Sequence, residues 1–216
     1  MKKSIIILSL ITIAFAGCKK DDPDAVSKIV DVSYPIIVLN GEQVVSQPVG
    51  TGTYTDPGAT GTDDITGATS ALSPVVNTVD LTTPGFYSVK YTMKNANGYI
   101  TNQIRLVLVT PVDPSVDLSG TYARTSNGQT VTVTKRGTGL YTTDNVGGVP
   151  GDPSYVFDVY FGQISDTEIQ VPPQPNPLGG EVYCDEGTLD LNAPITYSYI
   201  VHGSGFGTAT RTFEKQ

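Results

Sequence analysis

The chain holds one histidine, His202, at the head of the hexapeptide His202-Gly203-Ser204-Gly205-Phe206-Gly207. A histidine two residues from a serine, among glycines with open amides, has the residue types of nucleophilic catalysis, and any histidine-dependent triad must use it. The flanking segments, Ile195 to Val201 and Thr208 to Phe213, read as strands, and glycines between two strands serve a hairpin connection. A phosphate cradle would need a helix N-terminus after the glycines, and none follows. Paired acids stand at Asp63-Asp64 and Asp185-Glu186. Adjacent acids on an extended chain point to opposite sides or occupy turns, so both pairs read as solvated turns. Asp56, Asp63 and Asp64 offer the oxygen chemistry that calcium accepts. Zinc wants three or four ligands, more than one histidine and the one cysteine left free if Cys18 is lipidated supply. Cys184, beside Tyr183 in an apolar stretch, reads as an inert buried thiol. These residues predict no enzyme, no metal site and no cofactor, which leaves binding.

For binding, the 12 tyrosines and 6 phenylalanines are the large rigid surfaces available in a chain without tryptophan. Along Tyr155 to Phe161, alternation puts Tyr155, Phe157, Val159 and Phe161 on one face and Val156, Asp158 and Tyr160 on the other. Tyr160 is thus an aromatic on the less apolar side. Two long stretches, Asp144 to Ser154 and Pro172 to Gly180, read as loops, and loops of that length on a compact sheet are often functional. Tyr160, Asp144, Asn145 and Tyr155 are the predicted ligand- or partner-binding residues.

The elements that must position them are strands. With 23 glycines, 15 prolines and no stretch of ten or more residues at helical apolar spacing, the chain is all-β. Its net charge is −8. That argues against nucleic acid, whose binders are basic. The two prolines of Thr110 to Ser115 make a stiff polar linker. Before it, Lys28 to Val32 and Ile36 to Leu39 read as strands, Asn40-Gly41 as a type I′ hairpin turn, and Tyr87 to Met93 alternates cleanly before the Asn97-Gly98 turn into Ile100 to Val109. Short strands with turns between them suggest a two-sheet sandwich. After the linker, about eight strands read as an antiparallel meander closed into a small barrel or curved sandwich. Each part is expected to fold alone.

The N-terminus reads as an export signal. Met1-Lys2-Lys3 is positive, Ser4 to Ile13 is an apolar run too short to span a bilayer, and Ala14 to Gly17 ends in small residues. Small residues before Cys18 resemble the lipobox of bacterial lipoproteins, which implies cleavage after residue 17 and acylation, including palmitate, of Cys18; the alternative is an ordinary signal cut near Ala16. Lys19-Lys20-Asp21-Asp22 resembles the lipoprotein export signal of Bacteroidota, which implies an outer-membrane lipoprotein facing the cell exterior; the alternative is a solvated charged tether. Loss of Lys2 and Lys3 leaves 11 of the 13 basic residues against 21 acids, or −10. The expected organisation is signal peptide 1–17, lipidated tether 18–27, sandwich 28–111, linker 112–115 and C-terminal β domain 116–216.

Pro35 to Leu39, Tyr54-Thr55-Asp56-Pro57-Gly58-Ala59-Thr60, Asp63-Asp64, Gly67, Pro84 to Tyr91 and Asn97-Gly98 resemble the bacterial surface-protein immunoglobulin-like domain. Asn95-Ala96-Asn97-Gly98 lacks that family's usual aspartate, which speaks against a cation role for the nearby loop. Leu118 to Arg124 and Thr130 to Gly148 resemble the C-terminal domains of Bacteroidota lipoproteins encoded beside SusC/SusD-type uptake transporters. That resemblance implies an accessory lipoprotein that binds a glycan or peptide nutrient near the transporter. The alternatives are a structural or adhesin-like surface protein, and a small-barrel carrier of apolar ligands with an aromatic-lined lumen.

Overall fold

The computed structural model describes residues 32–216. Cys18, the signal peptide, the tether and the strand expected from Lys28 lie outside the described residues, save Val32, which is not in a strand.

The N-terminal part is a sandwich. β1 (Ile36–Leu39), β3 (Ala59–Thr62) and β4 (Thr69–Leu72) form one sheet; β2 (Val44–Pro48), β7 (Ile100–Thr110), β6 (Gly85–Lys94) and β5 (Val76–Asn77) form the other, in those orders. Alternation on β6 and β7 turns Val89, Tyr91 and Val107 inward, where they pack with Tyr54 and Ala59. Asn97-Gly98 makes the expected hairpin, with Gly98 at φ 91°. Asn40-Gly41 turns the chain but makes no hairpin, which corrects the sequence reading. β1 pairs antiparallel with β3, while β2 runs parallel to β7. Arg105 Nη2 donates to the Asn40 carbonyl at 2.8 Å and Arg105 Nε to the Glu42 carbonyl at 3.0 Å, so the turn hands the chain across to the second sheet.

The C-terminal part is a closed antiparallel barrel of β8 (Gly120–Arg124), β9 (Thr130–Gly137), β10 (Leu140–Thr143), β11 (Val159–Gln163), β12 (Ile169–Pro175), β13 (Glu181–Asp190), β14 (Thr196–His202) and β15 (Thr210–Lys215), closed by β15 on β8. Eight strands enclose a space that side chains can fill. Six aromatic residues fill it: Tyr122, Tyr141, Phe161, Tyr197, Tyr199 and Phe213 are all buried, with neighbouring ring centroids 5.0 to 5.8 Å apart. The interior is a core, and the carrier reading loses its lumen.

Three element boundaries differ from the sequence reading. Pro153–Tyr155 forms a 3-10 turn capped by Asp152, and the strand expected from Tyr155 begins only at Val159. The stretch Pro172 to Gly180 is no long loop, because β12 runs to Pro175. Prolines cannot donate to a ladder, and here a side chain stands in: Gln174 Oε1 accepts from the Tyr160 N–H at 2.8 Å while Gln174 Nε2 donates to the Tyr160 carbonyl at 2.7 Å. The strand expected at Gly187 to Leu191 is the end of the ten-residue β13, bulged between Asp185 and Thr188.

The two parts meet face to face. Val44, Leu108 and Leu140 are buried together, with Phe86, Leu106, Tyr160 and Ile164 packed around them. Glycine makes the approach possible: a Cβ at Gly162 would come within 2.6 Å of Leu108 and 2.8 Å of Phe86. The Thr110 hydroxyl donates to the Gln163 carbonyl at 2.7 Å, and the Phe86 N–H donates to Gln170 Oε1 at 3.1 Å.

Candidate functional site

The residues with catalytic chemistry are placed apart. His202 lies on the outer barrel wall, its Nε2 3.0 Å from an Asp185 carboxylate oxygen and its ring stacked on Tyr183 at 4.9 Å. Gly203 to Ala209 joins β14 to β15, as the strand pattern implied, and the Ser204 carbonyl accepts from Asn176 Nδ2 at 3.2 Å. Cys184 is buried, and burial pushes its thiol pKa far up.

Asp56, Asp63 and Asp64 do not gather around a cation. Asp56 accepts from Arg105 Nη1 at 2.5 Å, the Gly58 N–H at 2.8 Å, Tyr54 and the Tyr91 hydroxyl. Burial pushes the Asp56 carboxyl up, but the Tyr91 and Arg105 donors and the Gly58 N–H outweigh it and hold its pKa below the usual value. Burial, then the Asp56 hydrogen bond, pushes the Tyr91 hydroxyl up to about 12, so it stays a donor. Asp63 accepts from the backbone of Ile65, Thr66 and Ala96, and Asp64 from Asn95 Nδ2 at 2.9 Å. Among the described residues no group of three metal-ligating side chains occurs.

Of the predicted binding residues, Asn145 and Tyr155 meet at one mouth of the barrel. Asn145 Nδ2 donates to the Val149 carbonyl at 3.0 Å and its Oδ1 accepts from the Val149 N–H at 3.1 Å, so the side chain folds its own loop. That loop enters the mouth: Val146 is buried, Tyr199 donates to its carbonyl, and Arg211, Arg124 and Asn127 donate to the carbonyls of Gly147 and Gly148. The Tyr155 hydroxyl donates to the Gly205 carbonyl at 2.9 Å, and its ring meets Phe206 edge-on at 5.3 Å. Asp144 accepts from the Thr132 N–H on the barrel wall. These groups bond within the protein and close the mouth.

Tyr160 stands elsewhere. It faces outward from the barrel, as alternation implied, and lines a cleft of about 700 Å³ between barrel and sandwich. That volume lies within the roughly 300–1,000 Å³ of ordinary ligand sites. On the barrel side stand Tyr160, Asp158, Pro173, Pro175 and Glu181; on the sandwich side stand Val44, Phe86, Ser88, Asn102, Ile104 and Leu106. Val44, Leu106 and Ser88 form one cross-strand row, with Ile104 and Asn102 further along the same face of β7. Asp158 pairs with Arg136 Nη2 at 2.9 Å.

Sequence reasoning missed the sandwich wall. One signal pointed to it: Leu106, Val107, Leu108 and Val109 are consecutive apolar residues, and a strand apolar on both faces is covered on both. What covers the second face is distant in sequence.

Residues 37–109 match the family described as bacterial surface protein, Ig-like domain. No curated protein matches the chain. Among solved structures, the chain is similar to a lipoprotein of Bacteroides thetaiotaomicron, at 19% identity over 84% of this chain and 100% of that one, with a TM-score of 0.38. The described residues are thus all-β: a two-sheet sandwich, of which residues 37–109 match that Ig-like family, followed by a closed eight-stranded barrel.

Proposed function

We propose that the chain is a non-enzymatic lipoprotein of the outer cell surface, acylated at Cys18, that captures its ligand in the cleft between sandwich and barrel as an accessory to a SusC/SusD-type uptake transporter. The observation that carries the reading is the cleft itself, where Tyr160 faces a mixed apolar and polar sheet surface. The anchor rests on the lipobox-like Gly17-Cys18 and the Lys20-Asp21-Asp22 export pattern. Each buried acyl methylene contributes about 0.8 kcal/mol, so several chains hold such a protein on a membrane. The surface setting agrees with the Ig-like family of residues 37–109.

Two variants test the anchor. Cys18→Ala is expected to release the protein from the detergent phase in phase partitioning. Replacing Lys20, Asp21 and Asp22 by alanine is expected to keep it membrane-bound but shield it from protease added to intact cells. Unchanged partitioning of the first variant would refute the anchor, and unchanged protease access of the second would refute sorting by these residues. A second reading, a structural or adhesin-like role, draws on the exposed Tyr34, Ile36 and Val38 of the other sandwich face.

A further inference from the structure

We infer that the cleft takes an uncharged, hydroxyl-rich ligand, a neutral oligosaccharide, and rejects anionic ones. The inference rests on the reading of the cleft as the binding site.

Charge gives the first argument. The cleft lining includes two carboxylates, Asp158 and Glu181, and no Lys, Arg or His. A carboxylated or phosphorylated ligand entering it would lose hydration against two carboxylates; Arg136, beside Asp158, is already paired with it at 2.9 Å, and the acidic chain around the cleft would oppose the ligand's approach.

Backbone supply gives the second. An extended peptide held by a β protein adds its main chain to an open strand edge. Several main-chain groups at this cleft are already paired. Gln174 occupies both the N–H and the carbonyl of Tyr160. The Leu106 N–H is bonded to the Gln43 carbonyl, that of Phe86 to Gln170, and that of Ser88 to the Thr78 hydroxyl. Beside Tyr160, Leu106, Phe86 and Ser88, recognition must therefore come from side chains.

The side chains on offer are those that suit vicinal hydroxyls. Among the described residues, the Asn102 NH2 group, the Ser88 hydroxyl and the Glu181 carboxylate have no hydrogen-bond partner, whereas Asn102 Oδ1 is fixed by Thr92. An amide donor, a hydroxyl that both donates and accepts, and a carboxylate that accepts twice match the donor and acceptor pairs of a sugar. Tyr160 and Ile104 supply flat and apolar surface for the sugar's C–H faces.

The test is calorimetric titration of the chain carrying Cys18→Ala with three probe sets: neutral tetra- to hexasaccharides, uronic-acid oligosaccharides of the same length, and uncharged hexapeptides. Neutral saccharides are expected to bind, with affinity falling about tenfold in Tyr160→Ala and in the exposed Asn102→Ala, a loss typical of one good contact. Uronic-acid oligosaccharides are expected to bind only when Glu181→Lys supplies a cation. Uronates binding the unaltered cleft as tightly as neutral saccharides would overturn the inference. Peptides binding in place of saccharides, with the same loss in both variants, would overturn the ligand class and leave the cleft standing. Saccharide binding unmoved by either variant would overturn the cleft as well.

Discussion

Arg105 is fully buried, and its ion pair with Asp56 fixes the sandwich from within. Removing one member of such a pair strands a charge, so Asp56→Ala is expected to cost about 3–5 kcal/mol, read from urea unfolding. The pair also sets a pH dependence. The folded Asp56 pKa lies below the unfolded value of about 3.9. Its contribution is therefore complete above that value and is lost as pH falls through the folded pKa. The melting temperature is expected to drop as pH falls below about 4, and to drop less in Asp56→Asn, which has no carboxyl to protonate. An equal drop in both proteins would show that other carboxylates set the acid limit. In sequence Asp56 read as a potential cation ligand, because its partners Tyr91 and Arg105 lie 35 and 49 residues away. Carboxylate chemistry is local, but the choice of counter-charge is made by the fold.

At the scale of elements, strand existence was legible and strand ends were not. The alternation of Tyr87 to Met93 and the glycines after His202 each specify their structure within a few residues. The β12 boundary depends instead on Gln174, whose amide supplies ladder hydrogen bonds where Pro172 and Pro173 have no N–H to donate. Gln174→Ala is expected to cost about 2 kcal/mol through three lost bonds, two to Tyr160 and one to the Pro172 carbonyl, and to speed hydrogen exchange at the Tyr160 amide. Unchanged exchange there would show that β11 needs no such splint. Binding residues were harder to read than strands: Asn145 lies in a long loop, as the sequence implied, and Tyr155, read as the start of a strand, belongs to the same connection, yet the loop is folded into the barrel mouth. Loop length reports freedom only when no buried partner claims the backbone, and here Tyr199, Arg124 and Arg211 claim it.

For the whole molecule, the apposition of sandwich and barrel creates the cleft. Gly162 sits within that contact, and a side chain there would meet Leu108 and Phe86. Gly162→Val is expected to separate the two parts, so that one calorimetric transition becomes two and ligand affinity falls; a single unshifted transition would mean that the contact at Gly162 does not couple them. The cleft was not legible because its walls come from β6 and β7 on one side and β11 to β13 on the other, and no local pattern encodes their meeting. Tyr160 alone was legible, as an aromatic on the wrong face of its strand. The most direct measurement is amide chemical-shift mapping of the chain with Cys18→Ala during titration with neutral oligosaccharides. Shifts centred on Asn102, Ile104, Tyr160 and Glu181 are expected. Shifts centred instead on Asn145, Tyr155 and Phe206 at the barrel mouth, or no shifts at all, would contradict capture in the cleft.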